Sequence, residues 1–295
     1  MMKRVFVILG LLLTANSFAQ HNAMFSQYMF NGLLINPAYA GSNDVLSATA
    51  IDRMQWVGFD GAPKTLSFSI HSPLKNKKVN VGASFINDQI GITTQNKINA
   101  VYAYRLFLGK SSLSFGLQGG INMSRSNWNK IQTTTAGDQT FTGGYTQQNI
   151  AETGFGIYYK SPKIFAGVSA PDLFSIGITQ GKLYKPALIT VGYLLSISED
   201  VKLKPSVLVK YIKNSPQEYD LNLNAYYKNI GIGISYRTKD AMVFLIQYNI
   251  NMQLSAGYSY DLTTSKLHTF VRGSHEIMLK YEFGYKVNPQ NPRYF

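Results

Sequence analysis

The feature that most constrains this chain is an alternation of period two. From 113 to 123 one set of positions reads Leu113, Phe115, Leu117, Gly119, Ile121, Met123, and the set between reads Ser114, Gly116, Gln118, Gly120, Asn122. Side chains alternate across a strand, so one face is greasy and the other small and polar. The pattern returns in Ala187, Ile189, Val191, Tyr193, Leu195 and Ile197, in Leu221, Leu223, Ala225 and Tyr227, and in Ile230, Ile232, Ile234 and Tyr236. Leu254, Ala256, Tyr258 and Tyr260 repeat it, as do Ile277, Leu279, Tyr281, Phe283 and Tyr285. A soluble β-sandwich alternates too, but its strands are usually about 5 or 6 residues, whereas these runs approach ten or more. A strand of about 11 residues at about 3.3 Å each, tilted near 40°, rises on the order of 28 Å, enough for an apolar band of roughly 25 Å. Tyr repeatedly ends the apolar face, where an interfacial girdle belongs.

Fourteen such runs are found, near 45–56, 63–72, 79–88, 97–108, 111–124, 150–161, 163–171, 186–198, 201–213, 217–228, 230–238, 241–249, 252–261 and 274–286. An even number suits a closed antiparallel barrel with both ends on one side. Links after even-numbered runs are short. Those after the first, third, fifth, seventh and thirteenth are expected to be long: VGFDGAP, QIGITTQN, 125–149, DLFSIGITQGKLYK and LTTSKLHTFVRGS. NSPQ and KD, after the ninth and eleventh, are short exceptions. The expected fold is all-β, a transmembrane antiparallel β-barrel of about 14 strands, with 45–286 as the barrel and 287–295 as a C-terminal periplasmic tail.

Composition agrees. Twenty Tyr, 17 Phe and 25 Gly accompany a charged fraction of 15%, below the roughly 25% of an ordinary soluble domain. Lys3 and Arg4, the apolar run from Val5 to Leu13, and Ser17 and Ala19 before Gln20 read as a signal peptide over 1–19. Without Lys3 and Arg4 the formal charge falls from +13 to +11, an excess suited to turns and anionic headgroups. Export argues against a nucleic-acid partner. No cysteine is present, so neither a disulfide nor a lipid-bearing cysteine is expected.

Catalytic chemistry finds no constellation. The histidines are His21, His71, His268 and His275; HExxH, GxSxG and Walker motifs are missing. No enzyme activity, cofactor or metal is expected, and Asn87-Asp88 and Asp138 read as turn formers. The opening stretch FSQYMFNGLLINPAYAG, residues 25–41, carries Phe25, Tyr28, Met29, Gly32 and Leu33 at helical spacing, with Asn36-Pro37 to end the helix. Residues 20–44 are thus expected to form a short periplasmic helical plug or docking segment. On the first strand, Arg53 and Gln55 share a face toward the lumen, opposite Met54 and Trp56; Arg105 is placed to line the same lumen.

The opening stretch, RMQW at 53–56, FDGAPKT at 59–65, NDQIG at 87–91 and YAYR at 102–105 together resemble the PorP/SprF family of outer-membrane proteins of the type IX secretion and gliding apparatus. The resemblance implies an accessory barrel that helps export or surface-anchor adhesins through their C-terminal domain, with type IX components, a peptidoglycan-linked periplasmic partner and outer-membrane lipid or lipopolysaccharide around it. It maps candidate docking or structural positions onto Gln27, Tyr28, Asn31, Asn36, Pro37, Gly41, Arg53, Gln55 and Trp56. A passive porin-like or fatty-acid-transporter-like channel is the alternative. Phe295 or, on the last strand, Phe283 or Tyr285 is the expected insertion signal.

Overall fold

A computed structural model describes residues 24–131, 144–177 and 185–284. Fourteen antiparallel strands close on themselves: β1 (Leu46–Met54), β2 (Lys64–Pro73), β3 (Val79–Ile90), β4 (Thr93–Leu108), β5 (Ser111–Asn127), β6 (Tyr145–Lys160), β7 (Ile164–Ile176), β8 (Ala187–Tyr193, resumed after Leu194 as Leu195–Ser196), β9 (Val201–Tyr211), β10 (Glu218–Tyr227), β11 (Ile230–Arg237), β12 (Ala241–Asn249), β13 (Leu254–Thr263) and β14 (Ser274–Phe283). Each strand pairs with the next, and β1 pairs with β14 from Leu46↔Phe283 to Met54↔His275. Closure leaves no bare edge around the wall, which hydrocarbon requires because it offers backbone groups no partner.

The alternation is the inverse of a soluble core. Leu117, Ile121, Val191, Leu221, Ile232, Ile246 and Leu279 face outward and are exposed, while Ser67, Asn80, Arg53, Asn224, Ser259 and Glu276 point inward and are buried. All fourteen expected strands are present. Among the described residues, no helix is long and apolar enough to cross a membrane.

Three details differ from the sequence expectation. The link after β3 is only Gly91-Ile92, because β3 and β4 continue their pairing to Ile90↔Thr93; Gly91 takes φ +56 there, the conformation a two-residue hairpin needs at its first central position. β7 runs on to Ile176 past a bulge, in which the register jumps from Phe155↔Ala170 to Thr153↔Phe174. The opening segment holds three separate 3₁₀ turns, Tyr28–Phe30, Gly32–Leu34 and Pro37–Tyr39, in place of one helix. Asn36, extended as a residue before proline prefers, caps the third turn by accepting from the Ala38 N–H at 2.9 Å, and Pro37 begins that turn. Proline therefore separates turns here without ending the structured segment.

The last strand stops at Phe283, and Tyr285, Asp138 and 287–295 lie outside the described residues. We call the rim holding Leu46 and Phe283 the lower rim. Six short links lie there, and the other links, which include the longest, lie at the upper rim.

Candidate functional site

Residues 24–44 lie inside the barrel. Their path is read from their partners: Ser26 and Gln27 meet Glu276 near the upper end of β14, Asn31 meets Ser69 midway down β2, and Gly41 and Asn43 meet His71 and Glu282 near the lower rim. The segment thus descends through the lumen and passes into β1.

Inward-facing glycines make room for it. A Cβ on Gly116 would lie 2.1 Å from the backbone nitrogen of Ala38, and one on Gly257 would lie 2.2 Å from the Gln27 side-chain oxygen. Apolar side chains of the segment seat on apolar islands of the wall. Leu33, Ala38, Tyr39 and Ala40 pack with Val101, Ala103 and Tyr158, and Phe25 packs with Ile51 and Met278. Tyr28 packs with Leu188 and Leu208, and Met29 and Phe30 rest against Ala241, Val243 and Leu245.

The upper anchor is ionic. Arg53, 1% exposed, donates to Asp261 at 2.7 Å, to Glu276 at 3.0 Å and to the Ser26 hydroxyl at 2.8 Å. That hydroxyl donates in turn to Asp261 at 2.7 Å, and the backbone N–H groups of Ser26 and Gln27 each donate to Glu276 at 2.8 Å. One cation and two acids are thereby tied to the tip of the segment. Around the wall, Arg237 reaches Asp220 at 3.2 Å and Asp261 at 3.9 Å, and Asn222 donates to the Tyr28 hydroxyl at 2.7 Å. The lower anchor is also polar. Gly41, at φ +72, donates from its N–H to His71 Nδ1 at 3.0 Å, and its carbonyl accepts from Arg105, which pairs with Asp44 at 2.6 Å.

Of the nine motif positions, the structure gathers seven, Gln27, Tyr28, Asn31, Asn36, Pro37, Gly41 and Arg53, as buried parts of this assembly. Gln55 and Trp56 do not join it. Both lie past the end of β1; Gln55 bonds through its backbone to Pro63, and Trp56, at φ +47, bonds through its backbone N–H to Ser274. Of the expected Arg53–Gln55 pair, Arg53 is the member that meets the segment; the backbone turns at Trp56, one residue beyond Gln55. The acids that meet Arg53 come from the wall and not from the segment.

Ser26, Asp261, Glu276, Asn222 and His71 escaped the sequence reading. Their signal was present: Asp261, Glu276 and Asn222 occupy inward positions of their runs, where a buried carboxylate or amide asks for a partner. Asn87 and Asp88, read as turn formers, lie on β3 and bond across the sheet to Asn96 and Thr65. No metal-binding group of His, Asp and Glu occurs among the described residues.

The spaces beside the segment are small. One, lined by Met24, Leu34, Lys97 and Asp172 among others, holds about 80 Å³, and another beside Tyr28 and Tyr39 about 40 Å³, against the roughly 300–1,000 Å³ of small-molecule sites. A closed antiparallel barrel with a greasy exterior and its own N-terminal segment lodged in a polar interior is a plugged β-barrel of the outer-membrane type. The chain belongs to the family described as type IX secretion system membrane protein PorP/SprF, which matches residues 17–281, and its place is the outer membrane.

No curated protein matches the sequence. Among solved structures, the Ralstonia pickettii toluene transporter TbuX superposes with a TM-score of 0.52 at 10% identity, covering 86% of this chain and 93% of that one. The CymD monoaromatic hydrocarbon channel gives 0.49 at 13%, covering 89% and 94%, and Acinetobacter baumannii Omp33 gives 0.46 at 8%, covering 81% and 99%. At 10% identity the likeness to TbuX establishes the barrel fold alone.

Proposed function

We propose that this protein is a plugged accessory barrel of the type IX secretion system, which binds secretion components and cargo C-terminal domains at its rims and helps export or surface-anchor adhesin-type cargo. The observation that carries this reading is the segment held at both ends inside the lumen of a PorP/SprF barrel. Longer links belong outside the cell, so the upper rim faces outward and the lower rim, with both barrel ends, faces the periplasm. Residues 1–19 act as the signal peptide. In this reading the buried motif positions, from Gln27 to Gly41 together with Arg53, hold the plug, and partners meet the links and exposed residues such as Asp44 at the rims. A peptidoglycan-linked periplasmic protein fits the lower rim.

The test deletes residues 24–41 in the native host. The variant should insert and keep heat-modifiable migration, yet lose cargo from the cell surface; unchanged cargo display would refute the role. Planar-bilayer recording separates the channel alternative. Intact protein should show little steady conductance, and stable porin-like openings would favour a passive channel.

A further inference from the structure

The bulge in β7 makes a second site on the opposite side of the wall from the plug. Pro171, Asp172 and Leu173 stand against Gly154 alone on β6. Pro171 and Asp172 are buried inward, and Leu173 and Phe174 both turn outward. The distortion is fastened from the lumen: Gln118 donates to the Pro171 carbonyl at 2.7 Å, Lys97 pairs with Asp172 and, at 2.9 Å, with Glu152, and Glu152 accepts from Lys185 at 2.8 Å. Bulges held this way re-aim side chains as built features.

Outside, the wall is hollowed into a groove of about 480 Å³ lined by Tyr102, Leu117, Gly119, Phe155, Leu173 and Phe174 among others. Gly119 forms open floor, since a Cβ there would meet nothing within 4 Å. The volume falls in the range of small-molecule sites, several times the space left beside the plug. No charged side chain lines the groove, and β4 passes it midway along its length, at Ala100 to Tyr102. An occupant at that depth is hydrocarbon.

What the hydrocarbon is attached to follows from the same face of β5. Above Gly119 the outward positions are Ile121, Met123 and then Arg125, an exposed cation stacked 3.9 Å over the Tyr145 ring, with exposed Lys130 beyond it at the upper rim. Gly119 and Arg125 are six residues apart, about 20 Å along the strand, which a tilt near 40° reduces to a depth of about 15 Å. That is slightly more than half of the roughly 25 Å apolar band, so the groove lies at the depth of one leaflet's acyl chains and Arg125 just above them. A phosphate at Arg125 thus sets its acyl chain down Met123 and Ile121 into the groove.

We infer that the groove beside the β7 bulge binds an acyl chain of lipid A, with a lipid A phosphate on Arg125. The choice of lipid A over a phospholipid rests on the reading above that the upper rim faces outward, since lipid A populates the outer leaflet.

Native mass spectrometry of the full mature chain in detergent, titrated with purified lipid A, tests the site. Wild type should bind one equivalent, and Gly119→Trp, which fills the open floor, should weaken binding at least tenfold. Arg125→Glu, on the exposed rim and harmless to the wall, should do the same. Ile232→Trp on β11, across the barrel, should leave affinity unchanged. Wild-type affinity in both Gly119→Trp and Arg125→Glu, equal loss in Ile232→Trp, or equally tight binding of phosphatidylglycerol would each overturn the proposal.

Orientation is read separately. Lys130→Cys, the only thiol in the chain, should react with a membrane-impermeant maleimide on intact cells. Labelling only after permeabilisation would overturn the outward assignment of the upper rim and with it the identity of the lipid. Cargo display is scored on the segment-deletion strain, so failure of the secretion reading registers independently of lipid A binding.

Discussion

Replacing Arg53 with methionine removes the one cation that Ser26, Asp261 and Glu276 share. In the native protein its guanidinium bridges two buried carboxylates and the tip of the plug through three contacts of 2.7 to 3.0 Å. Methionine fills a similar volume but leaves both acids facing each other in a buried site. Glu276 retains the N–H groups of Ser26 and Gln27, and Asp261 retains the Ser26 hydroxyl and a distant Arg237 at 3.9 Å. Removing one partner from a buried ionic group destabilises by about 3–5 kcal/mol, and the two stranded acids place Arg53→Met at the upper end.

Glu276→Gln is milder, because Arg53 keeps Asp261; one carboxylate oxygen becomes an amide NH2 that cannot accept, so the N–H of Ser26 or of Gln27 loses its acceptor, at about 1–3 kcal/mol. In the double variant one of the stranded acids is gone, so the two changes should be less than additive by at least about 1 kcal/mol. Urea unfolding in lipid vesicles, followed by tryptophan fluorescence and by heat-modifiable migration, supplies the free energies. The plug end should loosen in parallel, giving Arg53→Met frequent conductance steps that wild type lacks. A loss within about 0.5 kcal/mol, as for a surface pair, or strict additivity in the cycle, would refute the account of a latch.

Other perturbations read other parts of the molecule. Gly116→Val places a side chain where the backbone of Ala38 lies, so it should destabilise by about 1–3 kcal/mol through overpacking and raise bilayer conductance by displacing the third turn. Gly41→Ala combines a left-handed backbone with contact on Asn80; a loss of at least about 1–2 kcal/mol is expected, measured by the same urea titration. Ile232→Arg, outward on β11, should cost about 2–4 kcal/mol if the residue sits near the bilayer midplane, whereas a loss under about 0.5 kcal/mol would argue that this face does not meet lipid.

The barrel was legible in the sequence because lipid imposes a simple rule. Every outward residue meets the same apolar medium, so Leu117, Ile232 and Leu279 follow period two regardless of their neighbours, and closure follows from backbone hydrogen bonding alone. Strand ends that depend on pairing were less legible. Nothing in QIGITTQN distinguishes a loop from two strands that continue to a two-residue turn, since polar residues above the membrane no longer alternate in hydropathy. The bulge at Pro171 was hidden for a related reason: it is defined by Gly154 on another strand.

The plug was half legible. Apolar spacing in 25–41 showed a structured segment, but helical spacing was a poor guide where Asn31 and Asn36 divert their side chains to Ser69 and Ile157 on the wall. Its location was written in the wall. Ile51, Val101, Leu208, Val243 and Met278 occupy the polar phase of their strands, and Gly116, Gly156 and Gly257 leave the same phase empty. In an open, water-filled pore those apolar positions would be exposed to water with no compensating contact. Each of these residues touches the segment or lies in a cluster with it. Departures from alternation on the inner face therefore mark where a barrel is filled, and their order along the strands traces the path of what fills it.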